Sequence, residues 1–312
     1  MPLQVGCVMA EDALRNQLIS ELARRQLASG GWSTNPTARQ AALEPSCLAT
    51  LAVKSRPDRA FAAQQFLVRV QNPNGSWPTF DGDDREGSWT TSLAIVALSD
   101  CASAIPPRLR GFGWLLECAG KESNWFWKWK FRTTDRHVRF DPDKYGWPWF
   151  PETVSWVVPT SIAILALNQI PCACGCFRGS AARVNLGLEM LMDRVCPGGG
   201  WNAGNGVVYG APLAPHVDDT AVALLALFDR KKDPVVQSCV QWLERTVHIV
   251  SSLWSLAWAV LALAAHGRPI ESQLAHLRST PGLCAFEDTS TLAVASLALD
   301  YHNSLSAFGV GL

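Results

Sequence analysis

A short pattern near the start of the chain occurs twice: Gln, three residues, Gly, one residue, Trp. Its two copies are Gln26, Gly30 and Trp32, and then Gln71, Gly75 and Trp77. Each unit of a repeat protein buries its apolar face against the next unit, so a recurring pattern constrains architecture more strongly than local propensity does. The pattern predicts a chain built from similar units that pack around one core.

Six apolar, alanine-rich segments predict helices that are enclosed by protein on nearly every side. These segments are residues 45–53, 88–98, 159–167, 219–227, 252–264 and 289–299. A more polar, amphipathic segment precedes each of them, as expected of a helix with one solvent-exposed face. These are residues 10–27, 58–70, 108–118, 181–194, 234–246 and 272–278. The alternation predicts an all-α (α/α)6 barrel, whose closure leaves no exposed apolar end.

The second and third apolar segments are separated by a long insert, at about residues 119–158, that is rich in tryptophan. Its tryptophans are Trp125, Trp127, Trp129, Trp147, Trp149 and Trp156. Long loops in compact domains are usually functional or disordered, and the aromatic density argues against disorder. We expect a single toroid over residues 1–312, with this insert as a lid or rim over one mouth.

Composition narrows the classes of partner. The 312 residues are 48% hydrophobic and 17% charged, with a formal net charge of zero. A neutral chain has no long-range field that attracts a polyanion, so we expect no nucleic-acid partner. The N-terminus lacks the pattern of a signal peptide, and the longest apolar stretches, such as 257–265, are shorter than the roughly 20 residues of a membrane span. We expect a cytoplasmic protein, and a peripheral membrane contact stays open.

The Gln-Gly-Trp turns and the six hairpins resemble the terpene cyclase and protein prenyltransferase superfamily of α/α toroids, above all the squalene–hopene cyclases. Residues 216–221, His-Val-Asp-Asp-Thr-Ala, are similar to the D-x-D-D-T-A acid motif of class II cyclases. The resemblance implies that Asp218 protonates an alkene or epoxide. Asp219 matches the last Asp of the motif, and His216 replaces the first. Class II cyclases normally carry a second toroid, so a homodimer or a second toroid stays open as a partner.

Such chemistry needs an acid that stays protonated and a cavity that tolerates a carbocation. A carboxyl keeps its proton when it is buried or lies beside a carboxylate, so Asp219 and His216 are expected to tune Asp218. Aromatic faces stabilise a cation by about 0.5–2 kcal/mol each. The candidates for this substrate-binding wall are Trp89, Trp156, Tyr209, Trp254 and Trp258. The sequence thus predicts protonation-initiated cyclisation of a hydrophobic isoprenoid or polyene, with no cofactor and no metal.

Helix capping is the competing interpretation of these acids, because a first-turn carboxylate accepts hydrogen bonds from free backbone N–H groups. For Asp218 and Asp219 capping and chemistry weigh equally. Capping is favoured for the acids before the other inner helices, which are Glu44, Asp84, Glu86, Glu152, Glu287 and Asp288.

Two other functions stay open at this stage. One is a non-catalytic toroid that binds a lipid or a protein through its Trp-rich rim. The other is a prenyltransferase-type subunit, although Thr220 stands where that family has a cysteine zinc ligand. A second D-x-D-D at residues 81–84 is expected to be a solvated turn. The Cys172, Cys174 and Cys176 series is a weak metal pattern, since metal sites more often space two cysteines by two residues.

Overall fold

The computed structural model describes residues 3–135, 137–169, 179–280 and 288–311, with side chains of the first helix described from Ala13 onward. Helices dominate these ranges. Six of them form an inner ring: α2 (Leu43–Ala52), α4 (Thr90–Ala97), α7 (Val157–Asn168), α9 (Val217–Ala226), α11 (Leu253–Ala265) and α13 (Thr289–Leu299). Six lie outside it: α1 (Leu3–Arg25), α3 (Pro57–Arg69), α5 (Ile105–Glu117), α8 (Ser180–Asp193), α10 (Pro234–Thr246) and α12 (Glu271–Ser279).

The remaining elements are short. They are α6 (Trp125–Thr133) and α14 (Tyr301–Ala307), the antiparallel pair β1 (Val207–Val208) and β2 (Ala211–Pro212), and 3₁₀ turns at Ala102–Ala104, Lys121–Ser123, Phe228–Arg230 and Val247–Ile249. None of the helices in the described ranges is long and apolar enough to cross a membrane.

The inner ring is closed. In chain order each inner helix packs against the next, from α2 through α4, α7, α9 and α11 to α13, and α13 packs back against α2. The inner helices are buried along nearly their whole length because they are apolar on every face. Outer helices such as α10 bury one side only. The fold is therefore the (α/α)6 barrel that the sequence predicts.

Closure in a ring of six determines which helices face each other. Helices α2 and α9 are three positions apart in the ring, so they lie on opposite sides of the barrel axis. Helices α4 and α11 oppose each other in the same way. This arrangement decides where the residues of the candidate site meet.

A buried tryptophan connects an outer helix to an inner one in four repeats. Trp77 shows the pattern: its indole N–H donates to the carbonyl of Leu67 on α3 at 2.7 Å, and its backbone N–H donates to the hydroxyl of Thr91 on α4 at 2.9 Å. Gln71 adds hydrogen bonds to the carbonyls of Gly75 and Pro107, both at 2.8 Å. The same tryptophan contacts recur at Trp32, Trp147 and Trp201.

Glycine is required at the turn before Trp77. Gly75 has φ +91°, and a Cβ there would lie 2.6 Å from the carbonyl oxygen of Arg110. A left-handed backbone that approaches another chain segment this closely has no room for a side chain. The Gln-Gly-Trp pattern is thus the visible part of a structural connector between hairpins.

The tryptophans of the insert have different environments. Trp147 is 2% exposed and is the connector of the third repeat, so it belongs to the ring. Trp125 and Trp129 lie on α6, none of whose residues is buried. Trp149 packs edge-on against Trp89, with ring centroids 4.8 Å apart, and its carbonyl accepts the backbone N–H of Trp89. The insert therefore contacts the ring at the mouth where the inner helices begin.

Candidate active site

A narrow cavity lies inside the ring at the N-terminal ends of the inner helices. Five inner segments line it, and each contributes two residues that are four positions apart in the chain. Residues at this spacing lie on the same face of a helix, on successive turns. The lining residues are Glu44, Leu48, Trp89, Leu93, Val158, Ile162, Asp218, Val222, Trp254 and Trp258. The cavity volume is about 30 Å³. The wall residues are apolar or aromatic apart from Glu44 and Asp218.

The two acidic residues of the wall lie on opposite sides of the cavity. Glu44 lies on α2 and Asp218 on α9, which are opposite helices of the ring. Trp89 precedes α4 and Trp254 lies on α11, so tryptophans occupy a second diameter. A ligand on the barrel axis would lie between two acids in one direction and between aromatic rings in the other.

Asp218 is oriented by a tryptophan. The indole N–H of Trp254 donates to its Oδ2 at 3.2 Å. Among the hydrogen bonds between described residues, none runs from a backbone N–H of α9 to the Asp218 carboxylate. Asp218 therefore lies in the cavity wall, held by Trp254 rather than by the backbone of its own helix.

Asp219 and His216 form a pair beside the cavity. His216 Nδ1 lies 2.8 Å from Asp219 Oδ2, and the His216 side chain is 59% exposed. Burial raises the pKa of Asp219, and the nearby charge of Asp218 raises it further. The hydrogen bond from His216 acts in the opposite direction and lowers this pKa. Neither residue lines the cavity, so both would act on Asp218 indirectly.

Glu44 is the site residue that sequence reasoning assigned to capping. Among the hydrogen bonds between described residues, none runs from a backbone N–H of α2 to the Glu44 carboxyl, and Glu44 lines the cavity instead. Burial, and secondly the charge of Asp288, raises its pKa to about 7. Asp288 is itself the cap of α13, because it accepts hydrogen bonds from the backbone N–H and hydroxyl of Thr291.

A signal for Glu44 exists in the sequence once the repeats are aligned by their connectors. Ser46 and Thr220 receive the backbone N–H of Trp32 and Trp201, so they hold the same place in their repeats. Glu44 and Asp218 each lie two residues before these hydroxyls. Aligned in this way, both carboxyls occupy the position that faces the barrel axis.

Three of the predicted wall tryptophans converge on the cavity. Trp254 and Trp258 pack edge-to-face with ring centroids 5.8 Å apart, and Trp89 lines the other side. Trp258 is 2% exposed, and its indole N–H has no acceptor within the described part of the chain. Buried indole N–H groups normally have a partner.

Two predicted wall residues lie elsewhere. Tyr209 is 77% exposed at the tip of the β1–β2 turn and stacks on His137. Its position in the chain just before the acid motif does not bring it to the cavity, because the hairpin projects outward. Trp156 precedes α7 and packs against Gly204. It does not line the cavity.

The other motifs are structural where they are described. In the second D-x-D-D, the Asp84 carboxylate accepts the backbone N–H groups of Thr79 and Gly87 and braces an exposed loop. Thr220, in the place of a prenyltransferase zinc ligand, uses its hydroxyl to hold Trp201. Cys172, Cys174 and Cys176 lie outside the described residues, as does Glu287. No group of three metal-ligating side chains is found within the described ranges.

Comparison with solved structures identifies the fold. A structure described as an α-amylase from Clostridium perfringens is 11% identical, covers 94% of this chain and 96% of its own, and superposes with a TM-score of 0.61. A protein from Actinoplanes is 15% identical over 96% and 99% of the two chains, with a TM-score of 0.58. The type II terpene cyclase MstE from Scytonema is 16% identical over 87% and 80%, with a TM-score of 0.54.

These similarities are structural. No family model matches the sequence, and no curated protein matches it either. The chain has the α/α toroid fold. Toroids of this kind include both a terpene cyclase and a protein described as an amylase, so the fold alone does not select the reaction.

Proposed function

We propose that this protein catalyses a protonation-initiated, class II-type cyclisation of an isoprenoid or polyene, with Asp218 as the acid. The supporting observation is the cavity itself, in which Asp218 and Glu44 are the two acidic residues of an otherwise apolar wall that carries three tryptophans. Asp218 protonates a terminal double bond, and the aromatic faces stabilise the resulting cation. A dry wall prevents early capture of the cation by water. Asp219 and His216, which lie outside the cavity wall, act as the partners that tune Asp218.

Glycoside cleavage is the alternative that deserves comparison, because two acidic residues lie on opposite sides of the cavity and one similar structure is described as an amylase. Sugar hydroxyls need hydrogen-bonding partners when they leave water. Apart from Glu44 and Asp218, the wall consists of apolar side chains and tryptophans, and its apolar residues are Leu48, Leu93, Val158, Ile162 and Val222. This composition favours a hydrocarbon over a carbohydrate.

The cavity volume limits how the substrate enters. About 30 Å³ is close to the space of a single water molecule, whereas small-molecule sites usually enclose ~300–1,000 Å³. A prenyl chain therefore requires the half-buried side chains of Trp89 and Trp254 to move. Trp149 of the insert packs on Trp89, so we propose that the insert acts as a lid whose displacement opens this side.

The test is turnover by the purified full-length chain. Wild type and Asp218→Asn are incubated with linear isoprenoids of ten to thirty carbons, including a terminal epoxide, and products are separated by mass spectrometry. General acid catalysis contributes roughly 10²–10⁴-fold, so Asp218→Asn is expected to lose at least 100-fold in rate. Asp58→Asn, which alters a solvent-exposed acid on α3, is the matched control. Wild-type turnover by Asp218→Asn would show that another group is the acid.

A non-catalytic lipid-binding toroid is the second candidate, and one observation favours it. Trp125, Phe126 and Trp129 on α6 are 76%, 46% and 55% exposed, and tryptophan favours the membrane–water interface. This function predicts that the double variant Trp125→Ala/Trp129→Ala loses binding to phospholipid vesicles in a flotation assay. It also predicts that Asp218→Asn binds as wild type does. A peripheral membrane contact of this kind is compatible with cyclisation of a lipid-borne substrate.

A further inference from the structure

We propose that Glu44 is a second catalytic group of the cavity: the base that takes the proton released when the final carbocation becomes an alkene. The inference deepens the proposed cyclisation and rests on it. The geometry carries it, because Glu44 lies directly across the ring from the proposed acid with the tryptophan-lined space between them.

The proton balance of the reaction needs such a group. The Asp218 O–H bond breaks, its proton joins a terminal alkene carbon, and the π electrons of the polyene form new C–C bonds. The last cation then loses a C–H proton, and that electron pair becomes the new double bond. If Glu44 accepts this proton, the substrate is isomerised with no oxidant or reductant. Exchange with solvent returns a proton to Asp218 and removes one from Glu44.

No other described carboxyl is as well placed. Asp219 is paired with His216 outside the cavity wall. Asp288 is close enough to affect Glu44, but its carboxylate is used by Thr291 at the start of α13. Glu44 lines the cavity, and no hydrogen bond from the described residues engages its carboxyl.

A second feature of the same wall is an unpaired donor. Trp258 lines the cavity, and its buried indole N–H has no acceptor in the described ranges. An unpaired buried donor costs about 1–3 kcal/mol, and a ligand oxygen or an ordered water would remove that cost. When the wall side chains move to admit substrate, a polyene that carries a terminal oxygen, such as an epoxide or alcohol, would supply the acceptor.

The environment of Glu44 suits a group that both takes up and releases a proton. Burial and Asp288 on α13 raise its pKa to about 7. The other ionisable groups near it are Cys47 on its own helix, whose pKa burial raises well above its ordinary value, and Asp218 across the ring on α9. A catalytic base is most effective when its pKa lies near the working pH. Deprotonation to the alkene should therefore become more efficient as pH rises through about 7.

The experiment compares the products of wild type, Glu44→Gln and Glu44→Asp, with Glu117→Gln on the outer surface as control. The substrate is the isoprenoid that wild type converts fastest, and the ratio of cyclic alkene to cyclic alcohol is measured from pH 5.5 to 8.5. Without its base, the cation persists longer and is captured more often by water, which gives the cyclic alcohol. We expect Glu44→Gln to lower this ratio at least tenfold and to remove its pH dependence, while Glu44→Asp restores most of it.

The outcomes separate the two proposals. Wild-type turnover with an unchanged product ratio and pH profile in Glu44→Gln would overturn the role of Glu44 and leave the cyclisation intact. No turnover of any polyene by wild type would overturn both. Circular dichroism of each variant establishes that the ring is folded, and Glu44→Asp, which keeps a carboxyl, provides the comparison if Glu44→Gln does not fold.

Discussion

At the scale of single residues, environment distinguishes acids that look alike in sequence. Asp288 and Glu44 both lie at the start of an inner helix, but Asp288 binds backbone and hydroxyl donors while Glu44 lines an apolar cavity. A first-turn acid is compatible with either role, because side-chain direction depends on how the helix is rotated in the ring. Capping was therefore the reasonable expectation for both, and only the tertiary structure separates them.

Glu44 should make stability depend on pH. Its pKa rises from an ordinary value of 4.5 to about 7 in the folded chain. Between these values the unfolded chain releases the proton and the folded chain keeps it, so stability is fully present below pH 4.5 and declines as pH rises through 7. The loss should total about 3 kcal/mol, since one pKa unit corresponds to about 1.4 kcal/mol.

Urea denaturation of wild type, Glu44→Gln and Glu117→Gln at pH 4.5, 6 and 8 measures this effect. The glutamine of Glu44→Gln does not ionise. Between pH 4.5 and pH 8 the free energy of unfolding of wild type should therefore fall by about 3 kcal/mol relative to that of Glu44→Gln. The Glu117→Gln curve should run parallel to wild type, because Glu117 is solvent-exposed. A Glu44→Gln curve parallel to wild type would mean that Glu44 is not held protonated by the fold.

At the scale of elements, the buried tryptophan that connects an outer helix to an inner one explains why the Gln-Gly-Trp repeat is detectable in the sequence. The tryptophan contacts recur at Trp147 and Trp201, although neither repeat carries the full Gln-x3-Gly-x-Trp pattern. The indole bond and the Ser or Thr hydroxyl are the shared parts, and the glutamine bonds are additions. The sequence shows the pattern clearly where all parts are present. Trp147 was hidden because it lies among five other tryptophans of the insert.

Removing the hydroxyl of one connector should destabilise the barrel. Thr220 Oγ1 accepts the backbone N–H of Trp201 at 2.8 Å and donates to its carbonyl, and Thr220 is fully buried. Thr220→Val leaves that N–H without an acceptor, so we expect a loss of about 1–3 kcal/mol in the free energy of unfolding. Thr220→Ser keeps the hydroxyl and should lose less. Equal losses in the two variants, measured by denaturant titration, would attribute the effect to packing instead.

At the scale of the whole molecule, the fold was predictable and the arrangement of the site was only partly so. Alternating apolar and amphipathic segments predict six hairpins because each inner helix must be enclosed on all sides. The sequence places Asp218, Trp89, Trp254 and Trp258 on or next to those inner helices, and the structure places all of them in the wall of one cavity. The opposition of α2 and α9 follows from ring order and closure, but no local pattern encodes the direction in which the Glu44 side chain points. Tyr209 was misplaced for the same reason, since proximity in the chain does not determine the direction of a hairpin.

Closure also predicts how the barrel unfolds. In an open array the terminal repeats contact one neighbour and fray first, whereas α13 packs against both α11 and α2. Leu292 on α13 and Leu224 on α9 are both fully buried. Leu292→Ala and Leu224→Ala should each cost about 2–5 kcal/mol and shift one shared transition. Tryptophan fluorescence and far-ultraviolet circular dichroism should give coincident curves in both variants. If Leu292→Ala instead produces an early transition confined to α13, detected by faster amide exchange there than in α9, the ring behaves as an open array despite its closed geometry.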